Sequence, residues 1–361
     1  MNAVAGRIAK NSNPASKAGT APCSPFLVRA IRSRPHLYSA ICRARLFYSR
    51  RVAGAASRTL FAQHHDLFAM NEFEARHVGS LRQHGFALAP EYFPPDSIDG
   101  IYARADVLFR SVAIDFTRAY SVQEGRRESL EGLSYADLAA TEKMIALRDP
   151  LLHIPELFSV AFHESILKIA ANFLGCIPQL YRVTVVRDFP SARPLHSSNF
   201  HKDNDESDSL QIFIYLVDID DTRGPLVYVP GSNHYDARSC RPRLARDLGL
   251  DSSDGRLPDD EVERAYPRST WAALRTVRGS IAFVHGNGIH KGPAWPQPGD
   301  PHNQPRTAIK LDLHGHKRGV VRDGKENLIW REDFEHMSAL QKLFAHATLS
   351  EQPIRVSTEA S

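Results

Sequence analysis

The chain has 361 residues, of which 42% are hydrophobic and 24% charged, a composition that excludes a collagen, a coiled coil or a chain disordered throughout. The formal net charge of +4 conceals an uneven distribution, because residues 1–65 carry eleven Lys or Arg and no Asp or Glu, whereas the remainder carries 34 basic and 41 acidic residues. A mildly acidic body lacks the positive surface that nucleic-acid binding requires, so we predict no nucleic-acid partner.

Two further features of the composition bear on the compartment. No window holds even half of the roughly 20 unbroken apolar residues that a transmembrane helix needs, so we expect a soluble, cytoplasmic protein. The cysteines form no C-x-x-C pair and no regular spacing, which favours reduced, structural thiols over disulfides or a zinc ribbon. They are Cys23, Cys42, Cys176 and Cys240.

The first predicted element lies in a basic extension, residues 1–69, which is free of Asp and Glu up to residue 65. A helical stripe of Leu37, Ile41, Tyr48 and Val52, with arginines off the stripe, predicts a basic amphipathic helix. Three interpretations stay open: a flexible tail or an upstream start before Met70, a contact with a membrane surface, and a transit peptide that would direct the protein to an organelle. No apolar segment leads to a small-residue cleavage site, so secretion is not expected.

From Asn71 to about Gly175 the pattern is mainly helical. Phe73, His77 and Leu81 share one face of a predicted helix, and the Pro94-Pro95-Asp96-Ser97 run marks the start of another. The HGFALAP segment between these two helices is predicted to be a short strand.

Beyond Gly175 the hydrophobic period shifts towards two, which predicts β-strands. The predicted strands are 180–187, 209–217, 225–229, 273–277, 280–284 and 306–313. Six short strands separated by Gly and Pro favour an antiparallel sandwich or barrel. The domain is predicted to span 70–320, with a charged, helix-capable insertion at 236–270, and 321–361 is predicted to form a C-terminal helix and tail.

Three H-x-D tripeptides are candidate metal-binding motifs, because residues i and i+2 of an extended chain point to the same side. They are His64/Asp66, His201/Asp203 and His234/Asp236. The tripeptide alone is a weak signal in a chain with 17 histidines. Only His201/Asp203 leads into a long strand of the β region, so we favour this pair.

A second imidazole must come from a distant strand. The GSIAFVHGNGIHKG segment offers His285 and His290, and Arg306 begins the last predicted strand, where its guanidinium could bind a carboxylate through two hydrogen bonds. Two histidines and one carboxylate occupy one face of an octahedral ion and leave three adjacent positions open, the arrangement of non-haem Fe(II) oxygenases.

These motifs, in this order, resemble one family. The NFHKDNDESDSLQIFIYLVDIDDTRGPLVYVPGSNH segment, then GSIAFVHGNGIHKGP and PRTAIKLDL, are similar to the phytanoyl-CoA dioxygenase family of Fe(II)- and 2-oxoglutarate-dependent oxygenases. The resemblance covers about Asn71 to Gly319. It implies a mainly β protein with helices: a double-stranded β-helix (jelly-roll, cupin-like) core with N-terminal helices packed on it.

The resemblance also implies the site. The iron ligands would be the catalytic residues His201, Asp203 and His290, and Arg306 would bind the distal carboxylate of 2-oxoglutarate. His285 would be structural or support the ligands. O2 would be the second co-substrate, ascorbate a reductant, and 2-oxoglutarate would be converted to succinate and CO2 as the substrate is hydroxylated.

Two details qualify these implications. The WPQPGDPHNQP segment makes the gap between His290 and Arg306 longer than is usual in the family, which keeps Lys310 and Lys291 as alternatives to Arg306. Asp203 stands where halogenating relatives have Gly or Ala, which favours hydroxylation.

Because the imidazoles must be neutral to bind metal, activity should fail at acid pH. Side chains that could also face the cavity are Tyr181, Thr184 and Gln211.

Two other classes of function stay open: a β-helix protein that binds a metal or ligand without turnover, and a zinc hydrolase that uses the same three residues. The intact ligand set argues against the first, and the lack of an H-E-x-x-H helix argues against the second. The expected partner is a small-molecule substrate of lipid, acyl or natural-product type. The sequence leaves the oligomeric state open.

Overall fold

The structure is a computed structural model, and it describes most of the chain from residue 57 onwards. The described residues are 55, 57–111, 118–120, 127–128, 135–140, 144–147, 150–190, 198–203, 209–233, 256–297, 299–315, 328–330, 335–347 and 355–357. The chain divides into two compact units, Met1–Tyr48 and Ser49–Ser361. The first unit, the predicted amphipathic helix and the third H-x-D pair, His234/Asp236, lie outside the described residues.

Most helices of the second unit contribute to one hydrophobic cluster, whereas Val262 of the seventh helix belongs to another. In chain order the helices are α1 (Glu72–His84), α2 (Pro95–Arg110), α3 (Tyr135–Ala140), α4 (Pro150–His153), α5 (Leu157–Ala161), α6 (Glu164–Leu174), α7 (Asp259–Ala265) and α8 (Ala339–Ala347). Helix α1 shows why these boundaries form. The Asn71 side chain accepts a hydrogen bond from the Glu74 backbone and the Glu74 carboxylate accepts one from the Asn71 backbone, each 2.9 Å long. Gly85 ends the helix at a φ of 86°.

A large sheet and a small sheet form the β core. The strands are β1 (Phe86–Ala89), β2 (Arg118–Tyr120), β3 (Arg127–Glu128), β4 (Met144–Ala146), β5 (Gln179–Asp188), β6 (Phe200–His201), β7 (Ser209–Tyr215), β8 (Val227–Tyr228), β9 (Arg256–Leu257), β10 (Ala272–Ala273), β11 (Ile281–His285), β12 (His290–Lys291), β13 (Arg306–His314), β14 (Leu328–Trp330) and β15 (Arg355–Ser357). The large sheet has the order β1-β11-β7-β13-β5-β4-β2-β3 and the small sheet the order β10-β8-β12-β6-β9. All pairings within both sheets are antiparallel, and β14 pairs in parallel with β15 outside them.

The two faces of the large sheet differ because side chains alternate along each strand. On β7, Leu210, Ile212 and Ile214 belong to the hydrophobic cluster that joins this sheet to the helices. Phe213 and Tyr215 belong to a second cluster, shared with the small sheet. The face of the large sheet that carries Phe213 and Tyr215 is therefore turned towards the small sheet, whose strands carry the site. The protein is mainly β with helices and has a double-stranded β-helix core. The fold class predicted from the sequence is therefore confirmed.

The N-terminal side of this core includes residues that the sequence analysis assigned to the extension. Residues 57–63 are helical, and the Ser57 hydroxyl donates a 2.7 Å hydrogen bond to the Ile177 carbonyl oxygen. Phe68 is buried, 6.4 Å from the ring of Phe344. Packing of these side chains against the core therefore extends the folded region towards the N-terminus.

One segment, Leu157–Leu174, is long and apolar enough to span a membrane by length and composition alone, and half of it is buried within the structure. It comprises α5 and α6, and it is interrupted at Phe162 and His163. Its apolar side chains, among them Ile166, lie in the cluster beneath the large sheet. The segment is therefore built as helices of the folded core.

Candidate active site

Two neighbouring side chains, His201 and Asp203, and a third from a distant strand, His290, converge between the sheets. His201 ends β6, Asp203 follows two residues later, and His290 begins β12, directly opposite His201 in the antiparallel register. One ligand atom from each lies within 4.8 Å of the other two. The Nε2 atoms of His201 and His290 are 4.0 and 3.9 Å from the Asp203 carboxylate oxygens. These separations are too long for hydrogen bonds, and they suit ligands arranged around one ion.

Backbone carbonyls orient both imidazoles. The Nδ1 atom of His201 is 2.9 Å from the Asn199 carbonyl oxygen, and that of His290 is 3.0 Å from the Gly288 carbonyl oxygen. A carbonyl oxygen only accepts, so each Nδ1 must carry the proton and donate it. Each Nε2 therefore keeps its lone pair for a metal ion, which is the usual arrangement of metal-binding histidines.

Asp203 is held from two directions. Its backbone N–H donates a 2.9 Å hydrogen bond to the Gly286 carbonyl oxygen, and its Oδ2 accepts a 2.6 Å hydrogen bond from Gln211 Nε2. A Cβ atom at position 286 would lie 2.6 Å from the same Oδ2. Only glycine at this position lets the backbone approach the carboxylate so closely. Gln211, a side chain whose direction the sequence left undecided, thus supports a candidate metal ligand.

The electrostatic surroundings keep His201 neutral. Burial lowers the pKa of His201 well below its usual value, and the neighbouring His290, Arg256 and Lys310 act in the same direction. The hydrogen bond to Asn199 opposes this effect but does not outweigh it. A neutral imidazole is the form that binds a metal ion, so this environment favours binding.

Arg306 lies at the other end of the interior strands, in a group that we call the closed end: Arg306, Asp188 and Tyr215. The Nε and Nη2 atoms of Arg306 donate to Asp188 Oδ2 over 3.0 and 2.8 Å, and Nη1 donates to the Gly224 carbonyl oxygen over 3.1 Å. Both side chains of the ion pair are nearly inaccessible, 5% exposed for Arg306 and 1% for Asp188. These bonds use three of the five guanidinium N–H groups.

Two buried polar atoms at the closed end have no hydrogen-bond partner among the described residues: the Tyr215 hydroxyl and Asp188 Oδ1. A buried polar atom without a partner costs about 1–3 kcal/mol. Together with the remaining N–H groups of Arg306, the hydroxyl provides donors that fit a ligand carboxylate. The prediction that Arg306 binds 2-oxoglutarate remains a prediction, and the donors at the closed end fit it.

The two alternative lysines have different positions. Lys291 points away from the triad: its Nζ lies 2.6 and 2.7 Å from the Asp259 carboxylate oxygens, and it lies over the rings of Phe200 and Trp271. Lys310 belongs to the interior face, since it is paired in register with Phe213 and its Nζ lies 5.5 Å from the centre of that ring.

The other candidate residues lie around or away from the triad. His285 is buried against Phe173 with a centroid distance of 5.0 Å and is not part of the triad. Thr184 pairs with Lys310 on β13, and the Tyr181 ring contacts His314 at 5.0 Å. The remaining H-x-D pair, His64/Asp66, is exposed, near the start of the described chain.

Sequence reasoning missed the strand beside His201. Strand β9 of the insertion pairs with β6, so that Arg256 lies opposite His201 and Leu257 opposite Phe200. A two-residue strand carries no periodic pattern, and the only local signal was the preceding glycine, Gly255. The insertion therefore forms the edge of the small sheet next to a candidate ligand.

A double-stranded β-helix that brings two imidazoles and one carboxylate to a common point is the scaffold of the non-haem iron oxygenases. Residues 81–295, more than half of the chain, match the phytanoyl-CoA dioxygenase (PhyH) family. The chain belongs to this family, and the family predicted from the sequence is confirmed. The family and the triad together make this an Fe(II)- and 2-oxoglutarate-dependent type of enzyme, which confirms the predicted cofactor and co-substrate.

Several solved structures have a similar fold. SnoK, a non-heme alpha ketoglutarate dependent carbocyclase from nogalamycin biosynthesis, is 17% identical over 69% of this chain and 85% of SnoK, with a TM-score of 0.45. EvdO2 from Micromonospora carbonacea var. aurantiaca, complexed with 2-oxoglutarate, is 18% identical over 68% of this chain and 91% of EvdO2, with a TM-score of 0.43.

HygX from Streptomyces hygroscopicus, with nickel and 2-oxoglutarate bound, is 12% identical over 68% of this chain and 87% of HygX, with a TM-score of 0.42. These scores are too low to carry an argument about the activity of this chain. No curated protein matches it.

Proposed function

We propose that this protein is an Fe(II)- and 2-oxoglutarate-dependent dioxygenase that hydroxylates a small molecule and releases succinate and CO2. The observation that supports the proposal most directly is the convergence of His201, Asp203 and His290 within 4.8 Å. When bound, iron and 2-oxoglutarate would supply the oxidative chemistry, in which O2 oxidises both the co-substrate and the substrate.

The protein side chains divide the remaining work between the two ends of the interior. His201 and His290 would bind the iron through Nε2, and Asp203 would bind it through a carboxylate oxygen that Gln211 and Gly286 hold in place. Arg306 would bind the distal carboxylate of 2-oxoglutarate, with the Tyr215 hydroxyl as a further donor. Apolar side chains between the sheets, such as Val186 and Phe213, would keep bulk water away from part of the reacting groups.

Asp203 supports hydroxylation rather than halogenation. A carboxylate at this position takes the coordination place that a halide would need, and the Gln211 hydrogen bond and the Gly286 backbone contact hold it there. Turnover is favoured over passive ligand binding by a second argument. The candidate ligands, the bonds that support them and the donors of the closed end are all present.

Anaerobic titration tests the proposal directly. Addition of Fe(II) and then 2-oxoglutarate should produce a weak visible charge-transfer band, because the co-substrate chelates the iron. A zinc hydrolase or a protein that binds another ligand would give no such band. Absence of the band in the wild-type protein would contradict the proposed function.

The mass of the product tests hydroxylation itself. Succinate release coupled to a substrate would be measured across a panel of lipid, acyl and natural-product molecules, and the product of any positive would be weighed with and without isotopically labelled O2. Hydroxylation adds one labelled oxygen atom. An unchanged mass would indicate epimerisation, the reaction named for SnoN, and loss of two hydrogens would indicate ring closure, the reaction named for SnoK.

The place of action and the partners belong to the same proposal. The acidic body of the chain argues against a nucleic-acid partner and so supports a small-molecule substrate. We propose a cytoplasmic location, with an organelle or a membrane surface as the alternative that the basic extension supports. Fractionation of cells that express the full chain, compared with a chain that starts at Met70, distinguishes these alternatives.

A further inference from the structure

A second charged group lies beside the triad on the interior face of the large sheet. We call it the basic wall: Lys310 and Asp312 on β13 and Arg182 on β5. Arg182 pairs in register with Asp312, which in turn pairs with Gln211 on β7. Gln211 is the residue that donates to the ligand Asp203. The basic wall therefore adjoins Gln211, the side chain that supports the candidate iron ligand Asp203, across three neighbouring strands.

The basic wall carries more positive than negative charge. Asp312 is the shared counter-ion: Arg182 Nε donates to its Oδ2 over 2.7 Å, and Lys310 Nζ lies 3.3 Å from its Oδ1. Burial by itself would raise the pKa of Asp312, but Arg182 and Lys310 outweigh it and hold the pKa well below its usual range. Two cations thus face one carboxylate that is ionised at neutral pH.

The Lys310 ammonium is poorly satisfied by the protein itself. An ammonium has three N–H donors, and the described residues offer it one carboxylate oxygen and the face of the Phe213 ring, 5.5 Å away. Its side chain is 19% exposed, and that of Arg182 is 18% exposed. Lys310 is thus accessible from solvent, unlike the cation of the closed end.

The established ligands of this enzyme class do not use this charge. In the proposed function, Arg306 would bind the distal carboxylate of 2-oxoglutarate and the metal would bind the proximal one. A partly buried positive charge next to the reaction centre, with spare donors, suits an anion that enters from solvent. We propose that Lys310, supported by Arg182, binds an anionic group of the substrate, so that the substrate is an organic carboxylate or phosphate rather than a neutral molecule.

This inference rests on the proposed function for its place beside the iron, and the experiment separates the two. Four probes in two matched pairs are hexanoate with hexanamide, and hexyl phosphate with hexanol. Each would be titrated into the full-length protein loaded anaerobically with Fe(II) and 2-oxoglutarate, with perturbation of the charge-transfer band as the readout. Calorimetry on the metal-free protein provides a second readout that needs no iron.

In the wild-type protein, at least one anion should bind tighter than its neutral partner. In Lys310→Met, the dissociation constant of that anion should rise about tenfold or more, whereas those of the neutral partners and of 2-oxoglutarate should change less than about twofold. Lys310→Arg should keep the preference for the anion, which a structural role for Lys310 would not predict. Lys342→Met, which removes a partly exposed cation on α8 that donates to the Glu335 carbonyl oxygen, should behave like the wild type. The anion that binds tighter shows whether the natural group is a carboxylate or a phosphate.

Two results would overturn the inference. One is equal affinity for anions and neutral partners in the wild type up to millimolar concentrations. The other is a loss of 2-oxoglutarate affinity in Lys310→Met with unchanged anion binding, which would make Lys310 a contact of the co-substrate. If the wild type forms no charge-transfer band but calorimetry shows anion binding that depends on Lys310, the proposed function fails while the anion site stands.

Discussion

The interior of the β core has two ends that are built on the same strands and differ in their access to water. At the closed end, Arg306 and Asp188 are at most 5% exposed and bind each other. At the other end, which we call the open end, the side chains of Asp203, Lys310 and Arg182 are 22%, 19% and 18% exposed, whereas His201, His290 and Asp312 are buried beside them. The closed end therefore contributes to the stability of the fold, whereas the open end can exchange ligands with solvent.

This difference predicts that substitutions at the two ends fail in different ways. At the closed end, removal of one charge leaves the other buried and unpaired, which costs about 3–5 kcal/mol. At the open end, water can replace a missing partner. Substitutions at the closed end should therefore reduce both stability and binding. Substitutions at the open end should reduce binding alone.

Arg306→Gln is expected to have the largest effect. It leaves the Asp188 carboxylate buried without its cation, so the free energy of unfolding should fall by about 3–5 kcal/mol and 2-oxoglutarate binding should be lost. Urea unfolding and titration of the charge-transfer band measure the two quantities. Arg306→Lys, which keeps the charge but loses the planar fork, should regain part of the stability and little of the 2-oxoglutarate affinity. Full 2-oxoglutarate affinity in both variants would remove Arg306 from the site.

Asp203→Ala should be the clearest loss at the open end. Removal of one of three ligands should weaken iron binding more than about 100-fold, equivalent to about 2.7 kcal/mol, because even the groups that only support a ligand contribute about 10–100-fold. Iron retained after gel filtration measures the affinity. The metal-free variant should unfold at the same urea concentration as the metal-free wild type, and a large fall in that midpoint would contradict the comparison of the two ends.

Gly286→Ala should have an intermediate effect. The added methyl group would lie 2.6 Å from Asp203 Oδ2, so it should displace the carboxylate and weaken iron binding by about 10–100-fold. Gly79→Ala is a matched control, because a Cβ at that helical position has no neighbour within 4 Å among the described residues. Equal iron affinity in both variants would show that the close approach at Gly286 is unimportant.

The smallest effect concerns pH. Burial lowers the pKa of His314 at the open end from 6.5, with Asp312 and Asp203 opposing the shift, and burial lowers that of His201 further. Since both folded-state pKa values lie below the unfolded value, the unfolded chain binds more protons as the pH falls through 6.5, and the metal-free protein should lose stability there. The slope cannot exceed about 1.4 kcal/mol per pH unit for each group. Urea unfolding between about pH 7 and pH 5 should show a shallower slope for His314→Gln than for the wild type; identical slopes would contradict the prediction.

The sequence carries much of this architecture but not its cross-strand pairings. The alternation in SLQIFIY predicts β7, and the order of H-x-D, distal histidine and arginine predicts the three residues that converge. Which face Gln211 occupies depends on the pleat, and the partner of Arg306 depends on the register of β5, so neither follows from local pattern. The packing of Ser57 and Phe68 on the core was also hidden, because their segment shares the basic composition of the extension.

The pairing of β9 with β6 has a consequence for attempts to re-engineer this enzyme. The insertion is joined to the strand of His201 through that pairing and to the residue after His290 through the Lys291–Asp259 ion pair. Exchange of the insertion for a loop from another family member would remove both supports at once. Variation of substrate range by loop grafting is therefore coupled to iron retention, and a grafted loop must keep an equivalent edge strand and acidic anchor to yield an active chimera.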